Sequence, residues 1–290
     1  MSSVDQASTL ATTSRGTWRR PRLLETMRWE TSKLVAQRRA RITLALCVIA
    51  PPLIDIVVKG QGRPPRDSLF GRYIHHSGYA TPLLLLGYAG QWVLPLLTAL
   101  VAGDIFASED QHGTWKTVLT RSAGRTQIFW AKTLTAIGFA VAVLVALAAS
   151  TILFSVLILG HDPLVGLSGQ LIPSGTAARL VLESWATALP PLLGFTCLAI
   201  LLSVLTRSPA AGIAAPVVIG LIMQLAGTLG GMEAVRPLLL STPFDAWHGL
   251  LADPAFHSPL VSGLITSAVW SALALAGAFI ALRRRDITGG

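Results

Sequence analysis

The sequence predicts an all-α polytopic membrane protein, and three observations carry that prediction. Hydrophobic residues make up 52% of the 290 and charged residues only 13%, where a soluble domain carries about 25% charge. Six apolar runs, each near the roughly 20 residues that a bilayer-spanning helix needs, are joined by short polar connections that leave no room for a separate soluble domain. The basic residues gather beside the ends of those runs. With alternating spans, 17 Lys and Arg fall on one side and 6 on the other, so both termini are expected in the cytoplasm. The net charge of +9 therefore reads as a topology signal and not as a nucleic-acid surface.

The elements follow in order. Residues 1–21 are polar and Ser/Thr-rich, expected as a disordered cytoplasmic tail. Over residues 22–41 Leu23, Leu24, Met27, Leu34 and Val35 recur at helical spacing, with Arg28, Lys33, Arg38 and Arg39 on other faces. That pattern predicts an amphipathic helix lying on the membrane surface. No small-x-small cleavage site follows the first apolar run, so a cleavable signal peptide is not expected.

The first span is expected at 42–58, interrupted by Pro51-Pro52 and carrying Asp55. Asp55 lies 13 residues past Ile42, about 20 Å along a helix at 1.5 Å per residue. That depth is near the outer interface, where a solvated acid is expected. The outer loop that follows holds His75-His76, whose adjacent side chains diverge and lack a third ligand, so no metal site is expected. The second span is read at 82–103 and the third at 133–160. The third has no charged residue and exceeds one crossing, so it must tilt or project.

The fourth span is expected at 184–206, with Pro190 and Pro191 kinking it. The fifth, at 210–229, contains Pro216 and leads into Gly227 and Gly231, whose GxxxG spacing makes them a candidate dimer or packing face. Residues 230–259 mix polar and apolar positions and read as short outer helices, with Trp247 as an interfacial anchor. The sixth span, 260–282, stops at Arg283-Arg284-Arg285, and 283–290 form a basic cytoplasmic tail. Cys47 and Cys197 sit singly in apolar runs and read as small buried hydrophobes.

Catalytic chemistry is absent from this pattern. The chain has no nucleophile–base constellation, no H-E-x-x-H and no Cys/His cluster, so neither a catalytic residue nor a metal is expected. It also lacks the G-x-x-x-x-G-K-[ST] loop that cradles ATP phosphates. The span interiors are nearly free of the acids and histidines that proton- or ion-coupled transport uses. A membrane protein without its own energy source must borrow energy from a partner, and one inner loop, 104–132, is long enough to be touched. There Asp110 is placed to start a helix, and Gly113 permits a turn or a close approach. Trp115, Val118 and Leu119 fall at i, i+3, i+4 as one apolar stripe, with Trp115 expected either as an exposed knob for a soluble domain or, on a helix lying on the membrane, among the headgroups.

The run Glu109-Asp110-x-x-Gly113-Thr114-Trp115-Lys116-x-x-Leu119, continuing through Arg125 to Lys132, resembles the loop between the second and third spans of ABC-2 type transporter permeases. Their pattern is approximately E-x-x-x-G-T-[LW]-x-x-[LV]-L-x-x-P-x-x-R-x-x-[IL]-x-x-x-K. Glu109, Gly113, Thr114, Leu119, Arg125 and Lys132 match it, and Ser122 or Ala123 stands where Pro is usual. The resemblance implies a six-helix ABC-2 type transmembrane domain over 42–282 in a bacterial inner membrane. It implies that the loop is a cytoplasmic coupling helix, with Glu109, Asp110, Gly113, Thr114, Trp115, Leu119 and Arg125 contacting the ATPase.

It further implies a second permease copy as a homodimer and two separate ABC ATPase subunits. Those subunits would bind ATP and Mg2+, with no cofactor on this chain. The implied activity is export of a hydrophobic or amphipathic substrate: an antibiotic or other drug, a peptide or a lipid. Leu167-Ser168-Gly169-Gln170 is one Gly short of the LSGGQ signature of transporter ATPases, but it falls in an outer connection and reads as chance. The alternative function is a non-transporting membrane immunity or sensor protein.

Overall fold

A computed structural model describes residues 23–60, 70–115 and 124–284. The expected tail 1–21, Leu119 and residues 285–290 lie outside the described residues. Among the described residues, six helical stretches are long and apolar enough to cross a membrane: Arg38–Gly60, Ala80–Gln111, Arg125–Leu159, Ser174–Thr206, Pro209–Thr228 and Ser258–Arg284. Exposed Leu153, Leu157, Ile222, Leu264 and Leu273 on their outer faces are what a helix meeting lipid presents. The fourth stretch is the inner one, 67% buried against 17–44% for the rest.

The chain opens with α1 (Leu23–Ala36), which turns at Gln37 into α2 (Arg38–Gly60). α2 is helical through Pro51-Pro52 and starts four residues before the expected span. A short 3-10 turn at Gly71–Tyr73 leads to α3 (Ala80–Tyr88), a π segment (Ala89–Val93), α4 (Leu94–Ala102) and the five-residue α5 (Ala107–Gln111). The π turn falls just before Pro95, whose missing N–H an α-helix would otherwise need. Next comes α6 (Arg125–Leu159). At about 1.5 Å per residue its 35 residues outrun a hydrocarbon layer of roughly 30 Å, and the added turns precede the expected start at 133.

A two-residue hairpin, β1 (Leu164–Val165) and β2 (Leu171–Ile172), pairs Leu164 with Ile172 in antiparallel register. The LSGQ segment is its turn, with Gly169 at φ +83°. α7 (Ser174–Thr187) and α8 (Leu189–Thr206) make the fourth stretch. Pro190 and Pro191 do not kink a continuous helix as expected. They occupy the first turn of α8, where no N–H donor is required, and the chain turns at Ala188.

α8 ends on Arg207 in the left-handed region, Ser208 caps α9 (Pro209–Thr228) by accepting from the Ala211 amide, and Pro216 is buried inside α9. Gly231 lies beyond the end of α9 at φ +82°, so Gly227 and Gly231 do not share one helical face. The close glycine contact is elsewhere. A Cβ on Gly103 would sit 2.2 Å from the Gly212 carbonyl oxygen, and one on Gly212 would sit 2.1 Å from the Gly103 oxygen. This brings the end of α4 against the start of α9.

3-10 turns at Arg236–Leu238 and Thr242–Leu251 precede α10 (Ser258–Arg284). α8 packs on α4, α9 and α10, and α2 runs along α6. Trp247 is not an interfacial anchor: it is 2% exposed and packs on Phe70, ring centroids 5.8 Å apart. Asp55 is not solvated either. Its buried carboxylate accepts from the Ser155 hydroxyl at 2.9 Å, because α6 lies beside α2 at this height.

Candidate functional site

One end of the bundle gathers α1, the turn after α4, α5, the first turns of α6 and the end of α10. α5 is too short to hold itself, and its anchors come from other elements. Its N-terminal amides have no cap of their own. The buried Ser203 hydroxyl of α8 accepts from the Phe106 and Ala107 amides at 3.2 and 3.0 Å, supplying from a neighbouring helix the oxygen that a local N-cap residue usually provides. Asp110 lies inside α5 and is not its cap. At the other end Gly113 adopts φ +62°. The Thr114 amide donates to the Glu109 carbonyl and the Gly113 amide to the Asp110 carbonyl, the paired 6→1 and 5→2 bonds of a Schellman stop. A Cβ on Gly113 meets nothing within 4 Å. Glycine is favoured there by backbone angle, not by space.

That stop folds Thr114 back so that its hydroxyl donates to the Glu109 carboxylate. Glu109 is buried, and Lys132 of α6 donates to it at 2.9 Å while Lys33 of α1 donates at 3.3 Å. Lys132, 2% exposed, also donates to Glu30 of α1 at 2.9 Å, and Lys33 lies 3.8 Å from Glu30. Two carboxylates and two ammoniums thus meet from three helices, with formal charges that cancel. Glu30 is positioned by the α1 register: Thr26, Glu30 and Leu34, four residues apart, form the buried face. Gln127 of α6 donates to Thr26 at 3.0 Å and extends the same seam.

Arg39 of α2 pairs with buried Asp104 just before α5. Together these groups line a cavity of about 240 Å³ that also receives Gln37, Ser108 and His112. Net stabilisation from so buried a cluster is small, since desolvation offsets attraction. Losing one member is costly, because its partner stays buried and unpaired. The cluster therefore specifies one arrangement of α1, α5 and α6 more than it adds stability.

Trp115 is not an exposed knob. It is 6% exposed and stacks on Phe106 at 6.4 Å, with Phe106 against Phe129 of α6 at 5.7 Å. An aromatic ring beside two others gains more from burial than from the membrane surface. Arg125 stands apart from the ion cluster, donating to the Arg283 carbonyl at the end of α10 at 3.2 Å. Of the sequence-expected site residues, Glu109, Gly113 and Thr114 are thus brought into one cluster, and Trp115 into the adjoining aromatic core. Glu30, Lys33 and Ser203 escaped sequence reasoning. By sequence Lys33 falls only on the polar faces of a surface helix, and nothing in the local pattern singles out Glu30 there or Ser203 in its apolar span.

Six apolar helices with a charged, interlocked end define a multi-pass membrane protein whose polar machinery is concentrated on one side. The family model for ABC-2 family transporter proteins matches residues 27–227, and the chain belongs to that family. The match covers α1 from Met27 onward and the whole α4–α6 junction. No curated protein matches the chain.

Proposed function

We propose that this permease takes its energy from a separate cytoplasmic ATPase through the α5 junction and exports a hydrophobic or amphipathic substrate. The observation that carries the reading is that, among the described residues, three other helices anchor α5. Ser203 ties it to α8, Lys132 to α6 and Lys33 to α1. A push on the residues around Glu109 and Gly113 would therefore be delivered to three helices at once, including the 35-residue α6. The turn Gln111–Thr114 offers the contact, with Gln111, His112 and Gly113 exposed. Asp110 and Arg125 flank the same junction.

In this reading the basic end faces the cytoplasm and both termini lie inside a bacterial inner membrane, as the excess of Lys and Arg on that side favours. The working unit is two copies of this chain with two ATPase subunits that bind ATP and Mg2+. The absence of charged residues from most span interiors favours a hydrophobic or amphipathic cargo over a small ion. Co-purification tests the partnership: the chain should retain a P-loop ATPase, encoded by a neighbouring reading frame with Walker motifs, whereas an immunity or sensor protein would not. Glu109→Lys is expected to abolish substrate-stimulated ATP hydrolysis and transport while leaving membrane insertion intact. Full transport by Gly113→Trp, assayed with the ATPase, would overturn the coupling assignment.

A further inference from the structure

Beside the ion cluster, an apolar groove of about 330 Å³ runs between α1, α2 and α6. Met27 and Val35 of α1, Leu44 of α2, and Leu134 and Phe139 of α6 form its walls. Gly138 lies in its lining, and a Cβ built there meets nothing within 4 Å, so the space is open down to the helix backbone. The polar atoms inside it are accounted for: the Thr31 and Thr135 hydroxyls pair with each other at 3.4 Å.

Its rim is basic. Arg41 lines the groove, Arg38 stands one turn earlier on α2, and Arg28 shares the α1 face of Thr31 and Val35. The cations of this region divide into two groups. Lys33, Arg39 and Lys132 are neutralised by Glu109, Asp104 and Glu30. Among the described residues Arg28 and Arg38 are exposed and have no ion pair, and Arg41 donates only to the Ala36 carbonyl at 3.3 Å. An open apolar slot under unpaired guanidiniums, on a helix bundle that meets lipid, calls for a ligand with a hydrocarbon tail and a negative head.

We propose that this groove binds an anionic glycerophospholipid, one acyl chain lying along Gly138 and its phosphate against Arg38 and Arg41. Basic pockets between transmembrane helices select anionic headgroups in this way. A neutral lipid would fill the slot and leave the guanidiniums uncompensated, and a purely apolar molecule would do the same. The bound lipid would clamp α1 onto α2 and α6, and so hold Glu30 and Lys33 in the neighbouring cluster.

The test uses the full chain, purified in detergent and stripped of lipid, titrated with dioleoyl phosphatidylglycerol or dioleoyl phosphatidylcholine and read by native mass spectrometry. One phosphatidylglycerol should be retained with a preference of about ten-fold or more over phosphatidylcholine. Arg38→Gln with Arg41→Gln should remove the preference, and Gly138→Leu should lower retention of both lipids. Ala142→Leu, on the exposed side of the groove, repeats the filling test where Gly138→Leu reduces folded yield. Millimolar inorganic phosphate should not displace the lipid. Displacement would show that the arginines recognise free phosphate and would overturn the proposal. Equal retention of the two lipids, an unchanged preference in the arginine variant, or a lipid-free dimer that occludes the groove would overturn it too. None of these readouts involves an ATPase, so failure here leaves the coupling assignment standing.

Discussion

At the basic end, α1, α5 and α6 meet through side-chain charge: Lys132 between Glu30 and Glu109, Lys33 on Glu109, Arg39 on Asp104. At the far end the contacts run largely to backbone and rings. Ser77 donates to the Asp162 carbonyl at 2.7 Å, Lys59 to the Ile158 carbonyl at 2.8 Å, and Leu167 and Gln170 to the Leu251 carbonyl at 3.0 Å. Phe244 stacks on Phe195 and Trp247 on His248. Two acids there, Asp55 and Asp245, have neutral hydrogen-bond partners, Ser155 and Gln91, and the ion pair Arg179–Glu183 is exposed and lies within one helix. Rings and backbone bonds fix a shape. Mutually dependent charges fix an arrangement that holds only while every partner is present. The end proposed to receive force is built in the second way.

The sharpest attack on that contrast is Lys132→Met. It removes the cation shared by Glu30 and Glu109 and leaves two buried carboxylates with Lys33 alone. Unfolding in detergent should show a loss of about 3–5 kcal/mol, the usual cost of orphaning a buried charge. Adding Glu30→Gln and Glu109→Gln should recover most of that loss, because neutral partners carry no desolvated charge. A loss below about 1 kcal/mol in the single variant would mean that the basic end is held by packing after all.

Steric closure should behave alike at both ends, which sharpens the contrast from the other side. A Cβ on Gly103 would lie 2.2 Å from the Gly212 oxygen, and one on Gly78 would lie 2.2 Å from the Gly160 oxygen. Gly103→Ala and Gly78→Ala should each cost about 1–3 kcal/mol as overpacking, measured by the same unfolding assay. Gly138→Ala, facing open space, should cost none of this. Gly113→Ala comes next, at about 1–2 kcal/mol for a side chain in the left-handed region. Its signature differs: the site is open, so stability should fall without any change in lipid retention.

Most of the span architecture was legible because a 20-residue apolar run has few other fates. Glu109, Gly113 and Thr114 were legible through the resemblance of their run to the family's loop, although a helix was expected to start at Asp110, where the structure has one ending. The partners of Glu109 were not. Lys33 lies 76 residues away and Glu30 meets Lys132 across 102, and a Glu–x–x–Lys step on an amphipathic helix looks the same whether solvated or buried. Trp115 and Trp247 were misread for a related reason. A tryptophan beside a span boundary suits the interface, and only the positions of Phe106 and Phe70 reveal that the ring turns inward. Pro190-Pro191 marked a break correctly in place but not in kind, since a kink and a helix start share the same residues.

The smallest effect belongs to Asp245, and it separates the ends by pH. Burial, the largest influence, pushes its carboxyl above the ordinary carboxylate range, against the pull of His248 and the Gln91 amide. In the unfolded chain an Asp titrates at about 3.9. The folded chain therefore favours the protonated form. This contribution is fully present below about pH 3.9 and is lost as the pH rises through the folded value. Asp245→Asn keeps an oxygen for the Gln91 amide and holds the group neutral at every pH. Subtracting the variant's stability-versus-pH curve from that of the unsubstituted chain cancels the other acids. The difference should turn against the unsubstituted chain as pH climbs from acid to neutral. Parallel curves would show that Asp245 is as solvated in the folded chain as in the unfolded one.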